Sequence, residues 1–569
     1  MSSPTVTQIL SACPCISSVE LISVPKSPVP DSRSSYGLSP SEKQQIRSTL
    51  LQVHNNFEEL DRALAHIETV RRRLTSKQYA LQAFSKTNRG RLSLIHSFPP
   101  EILAEIFSYF KRNWFDDHSR SARQRAYGRD EIFLPTHICR HWRQVALSTP
   151  PLWNHVFVTA DYYAPLWAVK AKPVADKLKL ERAQNWLARA GDSPLYIYLQ
   201  CNSANCEATW DALLEIVLPT SHRWKRVVIV SQTRADFSSI RNKMPLLESL
   251  DIRSSKYAAD PTDHFEIAPM LNSLSLTPVD AWLGTHSFHW TQLTTFNGNG
   301  HDLTVHQSHD LLSRMPNLMS LDVSLLYEPN PSTLIGPTLR FSQLECLNLT
   351  ARGDGGIDCF LNVLELPILR ALTCTFWETS RDREYLWQHP NGEDSDADAD
   401  SEFSWVASLI SLIDRSSCSI KSLHLTVESI YTSIHDLLQA TPHLEALDIG
   451  WLGYGGRWRC RNIIQSLTIS SAGEHRTHLV PNLLTLHLGY AGDFQMDAFV
   501  TMIHSRWRVS DCTDEVPSTR IQSVWLRDAR NSKILDIKSR HLLQEMGTEG
   551  LSIQIHILNR GTISFNDPA

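Results

Sequence analysis

The clearest pattern in the chain is a short apolar core that returns at a near-constant interval. It reads Pro245-Leu-Leu-Glu-Ser-Leu-Asp-Ile252, Pro269-Met-Leu-Asn-Ser-Leu-Ser-Leu276, Pro316-Asn-Leu-Met-Ser-Leu-Asp-Val323 and Leu344-Glu-Cys-Leu-Asn-Leu349. It continues as Pro367-Ile-Leu-Arg-Ala-Leu372, Ile420-Lys-Ser-Leu-His-Leu425, Pro442-His-Leu-Glu-Ala-Leu-Asp-Ile449 and Pro481-Asn-Leu-Leu-Thr-Leu-His-Leu488, with weaker copies at Leu293-Thr-Thr-Phe296 and Ile521-Gln-Ser-Val-Trp-Leu526. The anchors Leu247, Leu271, Leu293, Leu318, Leu344 and Leu369 lie roughly 22–26 residues apart, a spacing at which one strand and one return segment make a unit that buries its apolar edge against the next. Apolar residues alternating with polar ones predict strands with a single apolar face. Helical spacing in 307–315, 405–414, 434–440 and 496–507 predicts the return segments, and earlier strand-like runs begin at Leu195 and Arg226.

Upstream, the period changes. Ser39-Pro40-Ser41-Glu42 combines a capping serine, a proline at the first helical position and a glutamate three residues after the serine, so a helix is expected to start there. Ile46, Leu50, Val53, Phe57, Leu60, Leu64 and Ile67 alternate spacings of four and three, a heptad seam that continues through Arg71, Leu74, Gln78 and Leu81. The helix is expected to end near residue 86, before Asn88-Arg89-Gly90, and either to associate with a second copy through 39–90 or to fold back on its own chain. Residues 1–38, rich in Ser and Pro, have neither period and are expected to be disordered.

Between arm and repeats, Phe98-Pro-Pro-Glu-Ile-Leu-Ala-Glu-Ile-Phe107 predicts a helix with Ile102, Leu103, Ile106 and Phe107 on one side. After a polar stretch at 111–131 with six basic residues, Ile138-Cys-Arg-His-Trp-Arg143 starts a second helix, and Pro151-Leu-Trp153 follows. In this order the pieces resemble the F-box, a small all-helical module, in the form found in fungal proteins that carry a heptad helix before it and leucine-rich repeats after it. Phe98 stands where that family usually has leucine, and the 111–131 insertion separates the two halves more widely. The resemblance implies docking to a Skp-family adaptor, and through it to a cullin scaffold, by Phe98, Pro99, Glu101, Ile102, Leu103, Ile138, Cys139, Trp142 and Trp153.

The expected fold is therefore α+β and multidomain: a disordered segment 1–38, a coiled-coil-like helix 39–90, an all-helical F-box 91–158, a junction 159–191, and an irregular α/β leucine-rich-repeat horseshoe over 192–560. An acidic insertion interrupts the repeats at 391–402. In each repeat strand the residues flanking the central leucine face away from the apolar side, giving pairs such as Ser249 and Asp251, Ser320 and Asp322, Ser422 and His424, Ala446 and Asp448, Thr485 and His487, and Ser523 and Trp525. With Trp451 in the loop that follows its strand, Asp251, Asp322, His424, Asp448, His487 and Trp525 are the expected contacts to a protein target whose identity the sequence does not carry.

Composition narrows the functional classes. The 569 residues carry 55 basic and 60 acidic side chains, a formal charge of −5, which gives no drive toward nucleic acid. Eleven cysteines without a CxxC pair suggest a reducing compartment, with Cys139, Cys346 and Cys374 expected in the core. No uninterrupted apolar run reaches the roughly 18 residues of a membrane span, so a cytoplasmic or nuclear protein is expected. The 391–402 segment lacks the glycine and the terminal glutamate of a calcium loop, His301, His306 and His309 lack a zinc-motif context, and no nucleophile–base motif is present, so neither cofactor nor metal is expected. These features favour a non-catalytic, substrate-recognising subunit of an SCF-type ubiquitin ligase, with a scaffold acting without ubiquitination as the alternative.

Overall fold

The computed structural model describes residues 22–28, 37–92, 94–110, 130–161, 172–233, 236–254, 263–279, 288–298, 302–326, 336–352, 356–377, 404–427, 434–451, 461–469, 479–489, 496–508, 519–529, 537–557 and 561–565. Residues 111–129 of the expected 111–131 insertion, the expected insertion at 391–402, most of 1–38 and residues 452–460 lie outside them. The chain divides into two compact units, Met1–Leu103 and Ala104–Ala569.

The first unit holds helix α1, Pro40–Arg91. Its start is the expected capping box: the Glu42 N–H donates to Ser39 Oγ at 3.2 Å, and the Ser39 N–H donates back to Glu42 Oε2 at 2.8 Å. Contrary to expectation, the helix does not stop at Asn88-Arg89-Gly90, because one glycine in the last turn costs only about 1 kcal/mol against alanine. Of the heptad seam, Leu50, Phe57, Leu64, Ile67, Leu74 and Leu81 are exposed. Helix α2, Pro100–Ser108, begins in this unit and ends in the second.

In the second unit, helices α3 (Asp130–Ile138) and α4 (Arg140–Leu147) pack together. The first of them was not expected from the sequence, since Pro135 sits inside it. The strands follow as β1 (His155–Thr159), β2 (Leu195–Cys201), β3 (Trp224–Ser231), β4 (Ser249–Ser254), β5 (Ser273–Thr277), β6 (Thr295–Asn297) and β7 (Ser320–Leu325). Then come β8 (Leu339–Arg340), β9 (Cys346–Arg352), β10 (Leu364–Glu365), β11 (Ala371–Trp377), β12 (Ser422–Val427), β13 (Ala446–Trp451), β14 (Thr485–Leu488), β15 (Ser523–Ala529), β16 (Ser552–Ile557) and β17 (Gly561–Ser564). Fifteen of them form one sheet in strict chain order, parallel throughout until β17 returns antiparallel on β16; β8 and β10 pair separately. The sheet thus starts at His155, inside the stretch expected to be all helical. His155-Val-Phe-Val-Thr159 pairs residue for residue with β2, and only that long-range partner marks it as a strand.

The repeat has a physical basis at each rung. Met244-Pro-Leu-Leu247, Ala268-Pro-Met-Leu271, Leu366-Pro-Ile-Leu369, Thr441-Pro-His-Leu444 and Val480-Pro-Asn-Leu483 are turns in which the leucine N–H donates to the carbonyl three residues back. Proline occupies the second position of each, where its fixed φ favours the turn and no N–H is needed. The turn drops its leucine into the interior, where all five anchors are buried. At the residue after each anchor the next strand is clipped on: the carbonyls of Glu248, Asn272, Thr294, Met319, Glu345, Arg370, Lys421, Glu445 and Leu484 each accept two successive N–H groups from the following repeat.

Helices α5 (Lys172–Arg189), α6 (Glu207–Val217), α7 (Val305–Ser313), α8 (Ile357–Asn362), α9 (Ser404–Ser416), α10 (Ile434–Ala440), α11 (Arg461–Leu467), α12 (Met496–Trp507) and α13 (Ile537–Thr548) return the chain between strands. α5 packs on α6, and α7 to α13 pack each on the next; α5, α7 and α13 also touch the sheet. The core lies between helices and sheet. Leu250, Leu274, Leu321, Leu347, Leu372, Leu423, Leu447 and Leu486 are all buried there, each stabilising the fold by about 1.5–3 kcal/mol. A charged side chain also serves this interior: Arg506 donates to the carbonyls of Leu467 (2.6 Å), Val480 (3.1 Å) and Leu479 (2.8 Å), and its burial lowers its pKa to about 10. Cys374 is buried as expected, and that burial pushes its thiol up to about 12. Cys139 and Cys346 are only half-buried, a correction to their expected core placement.

Among the described residues, no helix is long and apolar enough to cross a membrane.

Candidate functional site

Strand register lines up the polar positions of successive repeats into rows on the face away from the buried leucines. Ser249, Ser273, Thr295, Ser320, Cys346, Ala371, Ser422, Ala446, Thr485, Ser523 and Ser552 are neighbours in turn, a row of small residues. Beside it runs Asp251, Ser275, Asn297, Asp322, Asn348, Thr373, His424, Asp448, His487, Trp525 and Gln554. Extended toward β1, the second row becomes Val228, Tyr198 and Phe157, where the Tyr198 and Phe157 rings stack with centroids 4.9 Å apart. Six of the seven expected target contacts are thus half-exposed members of one row. The seventh, Trp451, ends β13, and its side chain lies outside the described residues.

Chemistry concentrates at β12–β15. Asp448 Oδ2 accepts from Arg527 Nη2 at 2.6 Å and from His424 Nδ1 at 3.1 Å, with His487 Nδ1 at 3.5 Å. His424 Nε2 faces the Thr426 hydroxyl at 3.0 Å, and His487 meets the Trp525 ring edge-on at 5.4 Å. The Arg527 guanidinium lies over Trp525, 4.5 Å from the ring centre, a cation–π contact. Burial alone would push the Asp448 carboxyl up. The hydrogen bond from His424 opposes this, and with the charges of His424, Arg527 and His487 the carboxyl is held below its usual range.

Local backbone features make the cluster possible. Arg527 lies in an irregularity of the β15–β16 pairing, between Leu526 and Ala529, and such bulges re-aim a side chain. Its reach to Asp448 crosses β14, and β13 carries Gly450 two residues beyond Asp448. At Gly450 a Cβ would stand 2.9 Å from Thr426 Oγ1, so any larger residue would push against the histidine's partner. Arg527 and Thr426 were missed in the sequence, although both follow the same alternation one step beyond the residues flanking the central leucine.

A second acid of the row is arranged differently. Asp251 is held by Arg253 of its own strand through a two-toothed contact, Nε to Oδ1 at 3.1 Å and Nη2 to Oδ2 at 2.6 Å.

Eight of the nine expected adaptor contacts divide into two sets, and Cys139 is half-buried. Phe98 (37% exposed), Pro99, Glu101, Ile102 (49%) and Ile138 (53%) are at the surface. Leu103, Trp142 and Trp153 are buried, and this corrects the expectation that they present surface to a partner. Trp142 packs on Phe107 with centroids 5.0 Å apart; Trp153 meets Phe133 and Trp186, donates from Nε1 to the Ala146 carbonyl at 2.8 Å and is covered by Arg189. Cys139 caps α4, its sulfur accepting from the Trp142 N–H at 3.4 Å.

Of the histidines considered for metal, His309 is bound to the Pro337 carbonyl at 2.9 Å, and Asp302 accepts from the Ser324 hydroxyl. His301 lies outside the described residues. No protein-family model matches the chain, and no curated protein is significantly similar to it.

Proposed function

We propose that this chain is the substrate-recognition subunit of an SCF-type ubiquitin ligase, with the F-box-like segment docking to a Skp-family adaptor and the repeats, curved as a leucine-rich-repeat horseshoe, presenting a protein target. The observation that carries the reading is the division of the motif's apolar residues. Leu103, Phe107, Trp142 and Trp153 go to the interior, while Ile102 and Ile138 remain exposed on short helices with no cover among the described residues. Large apolar side chains left at the surface at motif positions are what helix-mediated docking uses. The row from Asp251 to Trp525 supports target binding, since it offers a long, half-exposed polar strip rather than an enclosed pocket.

Ile102→Asp with Ile138→Asp should abolish co-purification with the adaptor, by more than about tenfold, and leave the circular dichroism of the chain unchanged. Retained adaptor binding in that folded variant would sink the docking assignment. A scaffold acting without ubiquitination is separated by target ubiquitination, which the same variant lowers only under the ligase reading. The exposed heptad residues of α1 further support self-association of the arm. Sedimentation of the full chain should give a dimer that Phe57→Glu with Leu64→Glu converts to monomer; a wild-type monomer at high micromolar concentration rules this out.

A further inference from the structure

We propose that Arg527, with His487 beside it, forms the acid-reading subsite of the repeat face, a seat for an aspartate or glutamate side chain of the target. This rests on the reading that the face receives a protein target, and adds what chemistry the target brings. Among the described side chains that β12–β16 place on this face, Asp448 is the only acid, and donors on three strands converge on it. All three contacts use Oδ2, while Oδ1 is buried without a partner, so Asp448 has no exposed oxygen left over for a cationic guest.

Both ring nitrogens of His424 are engaged, by Asp448 and Thr426, but the other two donors have capacity left. Arg527 is one-third exposed and engages Asp448 through Nη2 alone; its Nε is buried without a partner, so the capacity that a guest can reach is at Nη1, which no described residue meets. His487 points Nδ1 at Asp448, which turns Nε2 away; no described residue meets that nitrogen, and it donates to a guest carboxylate when the ring is an imidazolium. Trp525 holds the guanidinium flat, so little side-chain freedom is lost when a carboxylate arrives. Small residues flank the cluster on one side, Ser422, Ala446, Thr485 and Ser523, and Gly450 lies on the other, leaving room for a guest side chain. A lysine or arginine of a target would meet three donors already assembled around one paired acid, whereas a carboxylate pairs with the outer N–H groups of the Arg527 guanidinium.

The test uses the full chain and two fluorescein-labelled probes, hexaglutamate and hexaglutamine, in anisotropy titrations at low salt. Hexaglutamate should bind at least about tenfold tighter, or about 1.4 kcal/mol. Arg527→Gln should erase most of that preference, and Arg520→Gln, a control on the remote Trp507 ring, should leave it intact. Asp448→Asn removes the competing acid while keeping the side-chain shape, so it should tighten hexaglutamate binding several-fold, a gain that misfolding does not produce. Equal affinity for the two peptides, an unaffected Arg527→Gln variant, or weaker binding by Asp448→Asn each overturns the proposal. Adaptor co-purification is measured on the same preparations. Its loss with the glutamate preference retained removes the ligase reading and leaves the subsite, and the converse removes the subsite alone.

Discussion

Asp251 and Asp448 occupy the same row of the same sheet face, yet their surroundings have opposite character. Asp251 is closed off by Arg253, two residues along its own strand, in a fork that uses both carboxylate oxygens. Asp448 is approached from β12, β14 and β15, the farthest partner being Arg527, 79 residues away in the chain, and only one of its oxygens is engaged. A local pair forms wherever two such residues stand at i and i+2 on a strand. A cluster gathered from several repeats exists only because the strands are in register, and it leaves donor capacity unspent.

That difference should appear first in stability. Asp448→Ala strands three donors on a half-buried face and should cost about 2–3 kcal/mol in urea unfolding, against about 1 kcal/mol for Asp251→Ala, which strands one. Equal losses would show that the cluster acts as a simple pair. The Asp448 effect is also pH-dependent. Because its folded-state pKa is depressed, the unfolded chain binds the extra proton, so its contribution is full above the ordinary carboxylate pKa and is lost as pH falls through the lowered folded value. Asp448→Asn should therefore flatten the acid limb of the stability curve below about pH 4. A slightly smaller effect is expected at Gly450→Ala, about 1–2 kcal/mol, because the new methyl meets Thr426 Oγ1. Adding Thr426→Ala should recover most of that loss, and no recovery would place the strain elsewhere.

Much of this architecture was readable in the residues. The proline–leucine turns, the alternation in each strand, the capping box at Ser39 and the return helices at 434–440 and 496–507 are local, and each is specified by neighbours within a few positions. Even the membership of the polar row could be written down, since a side-chain period of two admits no other assignment once the leucines are buried. What was missed lacks a local signal. β1 is a five-residue strand recognisable only by its pairing with β2, and α3 hides behind Pro135. Trp142 and Trp153 belong to the same motif as Ile102 and Ile138, and nothing in their spacing tells the buried ones from the exposed.

By itself, then, the sequence determined the repeat, its period and which residues face out, because hydrophobic alternation and turn chemistry act over a few bonds. The tertiary structure decided the meeting of His424, Asp448, His487 and Arg527, since their contacts depend on the register of four strands. Charge interactions of that kind are set by distances through space, which no interval along the chain encodes.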